Sequence, residues 1–96
     1  MNIVFHPAAQ IELDLGFDQY ELVMVGLGYR FISEVEIVIQ GILLYPNAHF
    51  EIFPGVRRGL VRKFPFYVAY RVNGDVLQIV AVANHRRRPL YWAKRR

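Results

Sequence analysis

Two β-rich runs, Phe66 to Val72 and Val76 to Ala83, stand on either side of the dipeptide Asn73-Gly74. Asn and Gly both tolerate positive φ, which a type I′ turn requires at its two central positions, so the pattern predicts a β-hairpin. The second run, VLQIVAVA, is apolar on both alternating sets of residues, as is typical of a central strand covered on two faces. Residues 59 to 64 alternate more weakly and predict a further strand before the hairpin.

The first half of the chain has the periodicity of helices instead. A short apolar run, Ile3 to Phe5, predicts a strand that ends at His6-Pro7, because proline removes a backbone donor. From Pro7 to about Met24, and again from about Tyr29 to Leu44, apolar residues recur at helical steps, so two helices are expected. Gly26-Leu27-Gly28 predicts a tight connection between them, which makes the pair an antiparallel hairpin.

Together these elements predict an α+β fold. Its order is an N-terminal strand, a two-helix antiparallel hairpin, a loop over Asn47 to Val56, a twisted antiparallel sheet of three further strands, and a short basic C-terminal tail. With 96 residues, 54% of them hydrophobic, the chain is expected to form a single domain over residues 1–96. Because cysteine is absent and the first residues lack the regions of a signal peptide, we expect a cytoplasmic protein without a membrane partner.

The charges are divided between the two halves of the chain. Residues 1 to 52 hold seven acids and one base, a charge of −6, whereas residues 53 to 96 hold eleven bases and one acid, a charge of +10, which together give the net +4. A folded domain keeps such a division as a positive field on the face that the second half builds. An acidic partner, either nucleic acid or an acidic protein segment, is therefore expected.

Residue content disfavours several classes of chemistry. The chain has no Cys and no Thr, and its only serine, Ser33, falls in the middle of the second predicted helix, so no activated nucleophile is expected. His6, His49 and His85 are far apart in sequence, and none has a second ligand at metal-binding spacing. No glycine-rich phosphate loop occurs. We expect neither a metal nor a cofactor.

The bases of the second half are interleaved with aromatic residues. Guanidinium groups offer planar donor forks to phosphate or carboxylate oxygens, and aromatic rings can stack on nucleic-acid bases. A set of charges that only solubilises a chain normally mixes both signs, so the segregation favours a binding role. We expect these groups to converge on one target-binding surface, which comprises Arg57, Arg58, Arg62, His85, Arg86, Arg87, Arg88 and Trp92.

Two further side-chain roles follow from the apolar residues. Trp92 has an alternative to base stacking, because an indole beyond the last strand readily packs against the sheet. The second predicted helix has more apolar residues than one core-facing stripe needs. The surplus residues Ile32, Ile37 and Leu44 predict a docking surface for a partner protein or for a second copy of the chain.

Short motifs run through nearly the whole chain. They are Phe5-His6-Pro7-Ala8-Ala9, Gly26-Leu27-Gly28, Phe53-Pro54 with Val56-Arg57-Arg58, Phe64-Pro65-Phe66, Tyr70-Arg71-Val72, and His85-Arg86-Arg87-Arg88-Pro89 with Trp92. In this order they resemble the RelE/ParE superfamily of toxins from type II toxin-antitoxin systems. The resemblance implies a strand, a helical hairpin and a twisted antiparallel sheet, and an antitoxin whose C-terminal segment wraps over the toxin.

The superfamily divides by target, and the sequence departs from its ribosome-dependent ribonuclease branch. Where that branch is implied to have an arginine, a lysine and a C-terminal tyrosine, this chain has Tyr67, about Leu60 and about Trp92. Such a nuclease needs cations for its transition state and a general base. In an atypical nuclease site, the remaining candidates for these roles are Arg58, His85 and Arg86.

The Arg57-Arg58 pair, Phe64-Pro65-Phe66 and the His85 to Pro89 motif look more like the ParE branch. That branch implies a toxin without catalysis of its own, which binds and poisons DNA gyrase through its basic residues, at gyrase itself or gyrase-bound DNA. It also implies a cognate antitoxin, in a hetero-oligomer, for which Ile32, Ile37 and Leu44 are the expected contacts. The alternatives are a ribosome-dependent mRNA endonuclease and a non-toxic RNA-binding or adaptor domain.

Overall fold

The predicted hairpin lies in the middle of a five-stranded sheet, but its turn comes one residue later than predicted. Asn73 belongs to the first strand of the hairpin and pairs with Val76, so the two turn residues are Gly74 and Asp75. Gly74 has a positive φ of 60°, whereas Asn73 lacks the positive φ that a type I′ turn over Asn73-Gly74 requires. The structure, a computed structural model, describes residues 1–96. The elements are β1 (Asn2–Phe5), α1 (Pro7–Val23), α2 (Leu27–Leu44), β2 (Phe50–Phe53), β3 (Val56–Leu60), β4 (Phe66–Asn73) and β5 (Val76–Asn84). The strands lie in the order β1-β5-β4-β3-β2, in which β1 pairs parallel to β5 and every other pair is antiparallel.

This architecture confirms the predicted α+β class and adds one strand to it. The additional strand is β2, which lies in the segment expected to be a loop. It pairs with β3 across a tight turn in which Gly55 adopts a φ of 78°, and the Gly55 amide donates to the Glu51 carboxylate at 3.1 Å. A four-residue edge strand offers too short a pattern for periodicity to reveal.

Both helices pack on one face of the sheet. α2 buries Phe31, Val35, Ile39 and Ile42, which recur at helical steps and form a single stripe. The ring of Phe31 lies 4.8 Å from that of Phe66 on β4, in the middle of an aromatic cluster that also contains Tyr20 and Phe64. No helix has both the length and the apolar run that a membrane crossing requires.

The opposite face of the sheet is covered by the C-terminal segment. The tail predicted to be short and basic is basic, but residues 89 to 94 form consecutive turns that fold back onto the strands. Trp92 is completely buried there, packed in a second core with Tyr67, Ala69 and Val80. Both faces of β5 are therefore covered, as its two-sided apolar sequence predicts.

A β-bulge in β5 changes which residues face the helices. Ala69 pairs with Ala81 and Tyr70 pairs with Ile79, so Val80 has no partner on β4. As a result Val80 and Ala81, although adjacent, both lie in the core beneath the C-terminal segment.

Beyond β1, the free edge of β5 is capped by side chains. Glu12 of α1 accepts a hydrogen bond from the Val82 amide at 3.0 Å, and the Val80 carbonyl accepts one from Arg95 at 3.1 Å. Glu12 also accepts from the Tyr91 hydroxyl at 2.6 Å and from both terminal nitrogens of Arg95 at 2.9 and 3.0 Å. We call Glu12, Tyr91 and Arg95 the Glu12 clamp, because they join α1, β5 and the C-terminal segment.

Candidate functional site

Two loops meet at one end of the sheet and carry most of the predicted target-binding residues. Phe66 at the start of β4 pairs with Asn84 at the end of β5, and the His85 amide donates to the Pro65 carbonyl at 2.8 Å. The β3–β4 loop and the turn after β5 are thus neighbours, and their side chains share one surface.

We call this surface the basic end. None of its cations is paired with a carboxylate within 4.0 Å, since the ion pairs of the molecule join only the Met1 amine to Asp75 and Arg95 to Glu12. Because all of these side chains are exposed and uncompensated, the basic end presents a positive field to solvent. Its members are Arg62, Lys63, His85, Arg86, Arg87 and Arg88.

The β3–β4 loop also contains a backbone outlier. Lys63 has a φ of 69°, in the left-handed region that non-glycine residues seldom adopt. Such conformations carry a cost of order 1–3 kcal/mol and cluster at functional sites. Here the strained residue is itself one of the cations of the basic end.

Arg58 joins the basic end through an aromatic contact on the face that the C-terminal segment covers. The guanidinium carbon of Arg58 lies 5.8 Å from the centre of the Tyr67 ring. On the opposite side of Tyr67, towards β5, the centre of the His85 ring lies 5.3 Å from that of Tyr67. The Tyr67 hydroxyl accepts a hydrogen bond from the Trp92 indole at 2.8 Å, which fixes the phenol in place. Arg58, Tyr67 and His85 therefore form a contiguous cationic and aromatic strip.

Arg57 does not belong to this surface, contrary to the prediction. Successive residues of a strand point to opposite faces, so Arg57 and Arg58 cannot act as a pair on one surface. Arg57 instead donates to the His49 carbonyl at 2.7 Å and lies opposite Tyr70. Burial raises the pKa of Tyr70, and the positive charge of Arg57 partly opposes this rise. Its role is to fasten the segment after α2 to the sheet.

Trp92 is not a direct target contact either. Its side chain has 0% exposure, and its indole donor is already used by Tyr67. The alternative, packing on the sheet, is the arrangement in the structure. Trp92 supports the strip from beneath instead of stacking on a base.

The three candidates for a nuclease are divided between two places. Arg58 and His85 lie on either side of Tyr67, whereas Arg86 lies near α1. There, burial raises the pKa of Tyr20, and the positive charge of Arg86 partly opposes this rise. Nor does any group of three His, Asp or Glu side chains come together in a way that could hold a metal ion.

Beside the basic end lies a pocket of about 270 Å³, between α1 and the turn after β5, which we call the α1 pocket. Arg86 and Arg87 line it together with Gln19 of α1 and Asn84 of β5. The Arg87 guanidinium lies 4.0 Å from the centre of the Tyr91 ring. Burial, and next the hydrogen bond to the Glu12 carboxylate, raise the pKa of Tyr91, so this phenol remains a neutral donor.

The predicted antitoxin contacts also separate into two sets. Ile32 packs partly into the main core and lines a mostly apolar groove of about 300 Å³ between α2, α1 and β1, near Ile3 and Phe5. Ile37 and Leu44 are 59% and 72% exposed, and being seven residues apart they share an outer face of α2. The prediction of one patch is corrected to a groove and a separate exposed face.

The sequence interpretation missed the Glu12 clamp. Glu12 stands three residues after Ala9 and four before Gly16, both buried, so helical spacing places it on the inward face of α1. An acid on an inward face signals a buried cation or donor, and this signal was present in the sequence. The partners Tyr91 and Arg95 come from the other end of the chain, which no local pattern indicates.

No protein-family model matches the chain, and no curated protein matches it in sequence. A solved structure of the chromosomal ParDE TA system from P. aeruginosa does match, with a TM-score of 0.76 over 88% of this chain and 95% of that chain. This chain has the fold of a ParDE toxin-antitoxin component. At 20% sequence identity the likeness concerns the fold, and it confirms the RelE/ParE resemblance at that level.

Proposed function

We propose that the chain is the toxin of a type II toxin-antitoxin system, ParE-like in action, which stops growth by binding and poisoning DNA gyrase. Two observations support it: the fold shared with a ParDE system, and the basic end, which carries the argument. Five cations and His85 are exposed there without a single carboxylate partner. Such a surface is built for an anionic partner.

The geometry favours binding over catalysis. General acid–base chemistry needs a base that a third group orients, and no carboxylate forms an ion pair with His85. Tyr67 occupies the position where the nuclease branch is implied to have an arginine, and its hydroxyl is held by the buried Trp92 indole. The strip of Arg58, Tyr67 and His85 is thus better suited to contact a partner than to cleave one.

An antitoxin would neutralise the toxin from the helical side. The groove beside Ile32 is lined by apolar residues of three elements, and the outer edge of β1 has no strand partner. A partner segment can add to such an edge and place apolar side chains in the groove. Ile37 and Leu44 would extend the contact along the outer face of α2.

Expression of the chain alone in bacteria, under an inducible promoter, tests the proposal. A gyrase poison should cause growth arrest with filamentation and DNA-damage signalling while transcripts remain intact. Cleavage of mRNA in the ribosomal A site would favour the second candidate, a ribosome-dependent endonuclease with Arg58 and His85 beside Tyr67. Normal growth would support an adaptor domain without toxicity.

The basic end is tested by removing single charges. Arg58→Ala and Arg86→Ala should relieve growth arrest while leaving the thermal midpoint within a few degrees, because neither guanidinium forms an ion pair and the contact of Arg58 with the Tyr67 ring is worth only about 0.5–1 kcal/mol. Lys94→Ala is the matched control, since it removes an exposed cation from the C-terminal segment and should remain toxic. Full toxicity in both arginine variants would show that the target binds elsewhere.

A further inference from the structure

The α1 pocket combines cations with unused polar side chains. Arg86 and Arg87 lie at its rim, and neither is in an ion pair. The Asn84 carboxamide oxygen accepts from the Arg86 amide at 2.9 Å, so the Asn84 carboxamide nitrogen is left to donate, while the Gln19 side chain makes no hydrogen bond to the protein. The pocket therefore presents mainly donors to whatever enters it.

The single carboxylate in the wall of the pocket does not oppose an anion. Both oxygens of Glu12 are occupied by donors of the Glu12 clamp and of Val82, and its charge is balanced by Arg95 at 2.9 Å. The charges that remain uncompensated at the pocket are those of Arg86 and Arg87. Two guanidinium groups that line one pocket suit a phosphate, whose oxygens accept their paired N–H donors.

The rest of the lining is apolar. Leu15 is 53% exposed at the wall, and Phe66 and Val82 lie behind it. A volume of about 270 Å³ is just below the range of ligand pockets, roughly 300–1,000 Å³, so the pocket fits one small group. A carboxamide such as that of Gln19 offers one donor and one acceptor side by side, the pair that matches the edge of adenine.

We propose that the α1 pocket binds a nucleotide, with the phosphate on Arg86 and Arg87 and the base against Leu15, beside the amides of Gln19 and Asn84. The nucleotide is either free or one residue of a single strand that lies along the basic end. This inference goes beyond the proposed function, because nucleotide binding by the isolated chain requires neither gyrase nor toxicity.

Titrations followed by ¹H–¹⁵N NMR of the full chain test the inference. The probes are adenosine 5′-monophosphate, adenosine, inorganic phosphate and a short single-stranded oligoadenylate. We expect the monophosphate to shift the amide signals of Gln19, Asn84 and Arg86, and to bind about tenfold more tightly than adenosine or phosphate alone. Equal binding of inorganic phosphate would overturn the nucleotide assignment, as would shifts confined to the β3–β4 loop.

Matched variants locate the ligand in the pocket. Gln19→Glu places a negative charge at the wall without changing the shape, and should weaken monophosphate binding by about tenfold. Gln40→Glu makes the same change at an exposed position of α2 and should alter monophosphate binding less than twofold. Equal binding to both variants would refute the proposal, whatever the outcome of the toxicity assay.

The two sources of the nucleotide give different results. If the oligoadenylate binds and its affinity falls in Gln19→Glu, while the monophosphate binds weakly, the ligand is a residue of a single strand. If the monophosphate binds as tightly as the oligoadenylate, the ligand is a free nucleotide. If the oligoadenylate is insensitive to Gln19→Glu, or an acidic peptide displaces it equally well in both variants, the pocket is unused and the proposal fails.

Discussion

Glu12→Gln should destabilise the fold more than its small chemical change suggests. The Glu12 carboxylate accepts four hydrogen bonds, two at each oxygen, from Val82, Tyr91 and Arg95. A glutamine keeps one accepting oxygen but turns the other position into a donor, which then faces two donors. At least two charge-assisted bonds are lost, and Arg95 loses its only carboxylate partner.

The magnitude follows from the burial of the pair. Hydrogen bonds to charged groups contribute about 1.5–3 kcal/mol each, and separating a buried ion pair costs about 3–5 kcal/mol. Because the side chains of Arg95 and Glu12 keep 17% and 13% exposure, we take the low end, about 3 kcal/mol. For a domain of this size that corresponds to a fall in Tm of about 12–24 °C.

Urea unfolding, followed by circular dichroism and by the fluorescence of the only tryptophan, measures the loss. Trp92 is buried in the segment that the Glu12 clamp holds, so its emission should shift to longer wavelengths at lower urea than the helical signal changes. Asp14→Asn, at an exposed acid of the same helix, should stay within about 0.5 kcal/mol of the parent. A similarly small effect of Glu12→Gln would refute the role assigned to the clamp.

Two further predictions concern helix packing and pH. Gly28→Ala should lower the free energy of unfolding in urea by about 2 kcal/mol, because the new Cβ would lie 2.5 Å from the Phe17 carbonyl oxygen. The control Gly41→Ala, whose Cβ would have no atom within 4 Å, should raise that free energy by about 0.5–1 kcal/mol. An unchanged stability in Gly28→Ala would contradict the close approach of the two helices. Because the pKa of Tyr91 is raised above 10.0, the contribution of its neutral hydroxyl to folding stability is complete below pH 10 and is lost as pH rises through the higher pKa of the folded state. The stability of Tyr91→Phe should therefore fall less than that of the parent protein over this alkaline range, and identical pH profiles of the two would contradict the assignment.

Most of the fold could be predicted because its signals are local. The signals for the β4–β5 hairpin, for the helical stripe of Phe31, Val35 and Ile39, and for the two-sided burial of β5 each occupy a few consecutive residues, although the hairpin turn is Gly74-Asp75 and not Asn73-Gly74. The basic end could be predicted in part, since Arg86, Arg87 and Arg88 are adjacent in sequence. Its juxtaposition with Arg62 depends on strand pairing, which the hairpin register supplies.

What could not be predicted depends on contacts between distant residues. Arg57 and Arg58 were grouped by charge, although strand alternation alone would have separated them once β3 was known to include both. The burial of Trp92 depends on the C-terminal segment turning back over the sheet, and residues 89 to 94 have no periodic pattern that encodes this turn. The clamp joins residues more than seventy positions apart.

The unpaired Val80 decides on which side of the molecule the later residues of β5 lie. Strand side chains alternate with a period of two, so if Val80 paired regularly with Ala69 instead of bulging, every position from Ala81 to Asn84 would exchange faces. The Val82 amide would then point away from Glu12, and the three consecutive arginines after β5 would begin on the opposite face of the sheet. A slip of one residue in the pairing of β5 would thus redirect the positive field of the basic end.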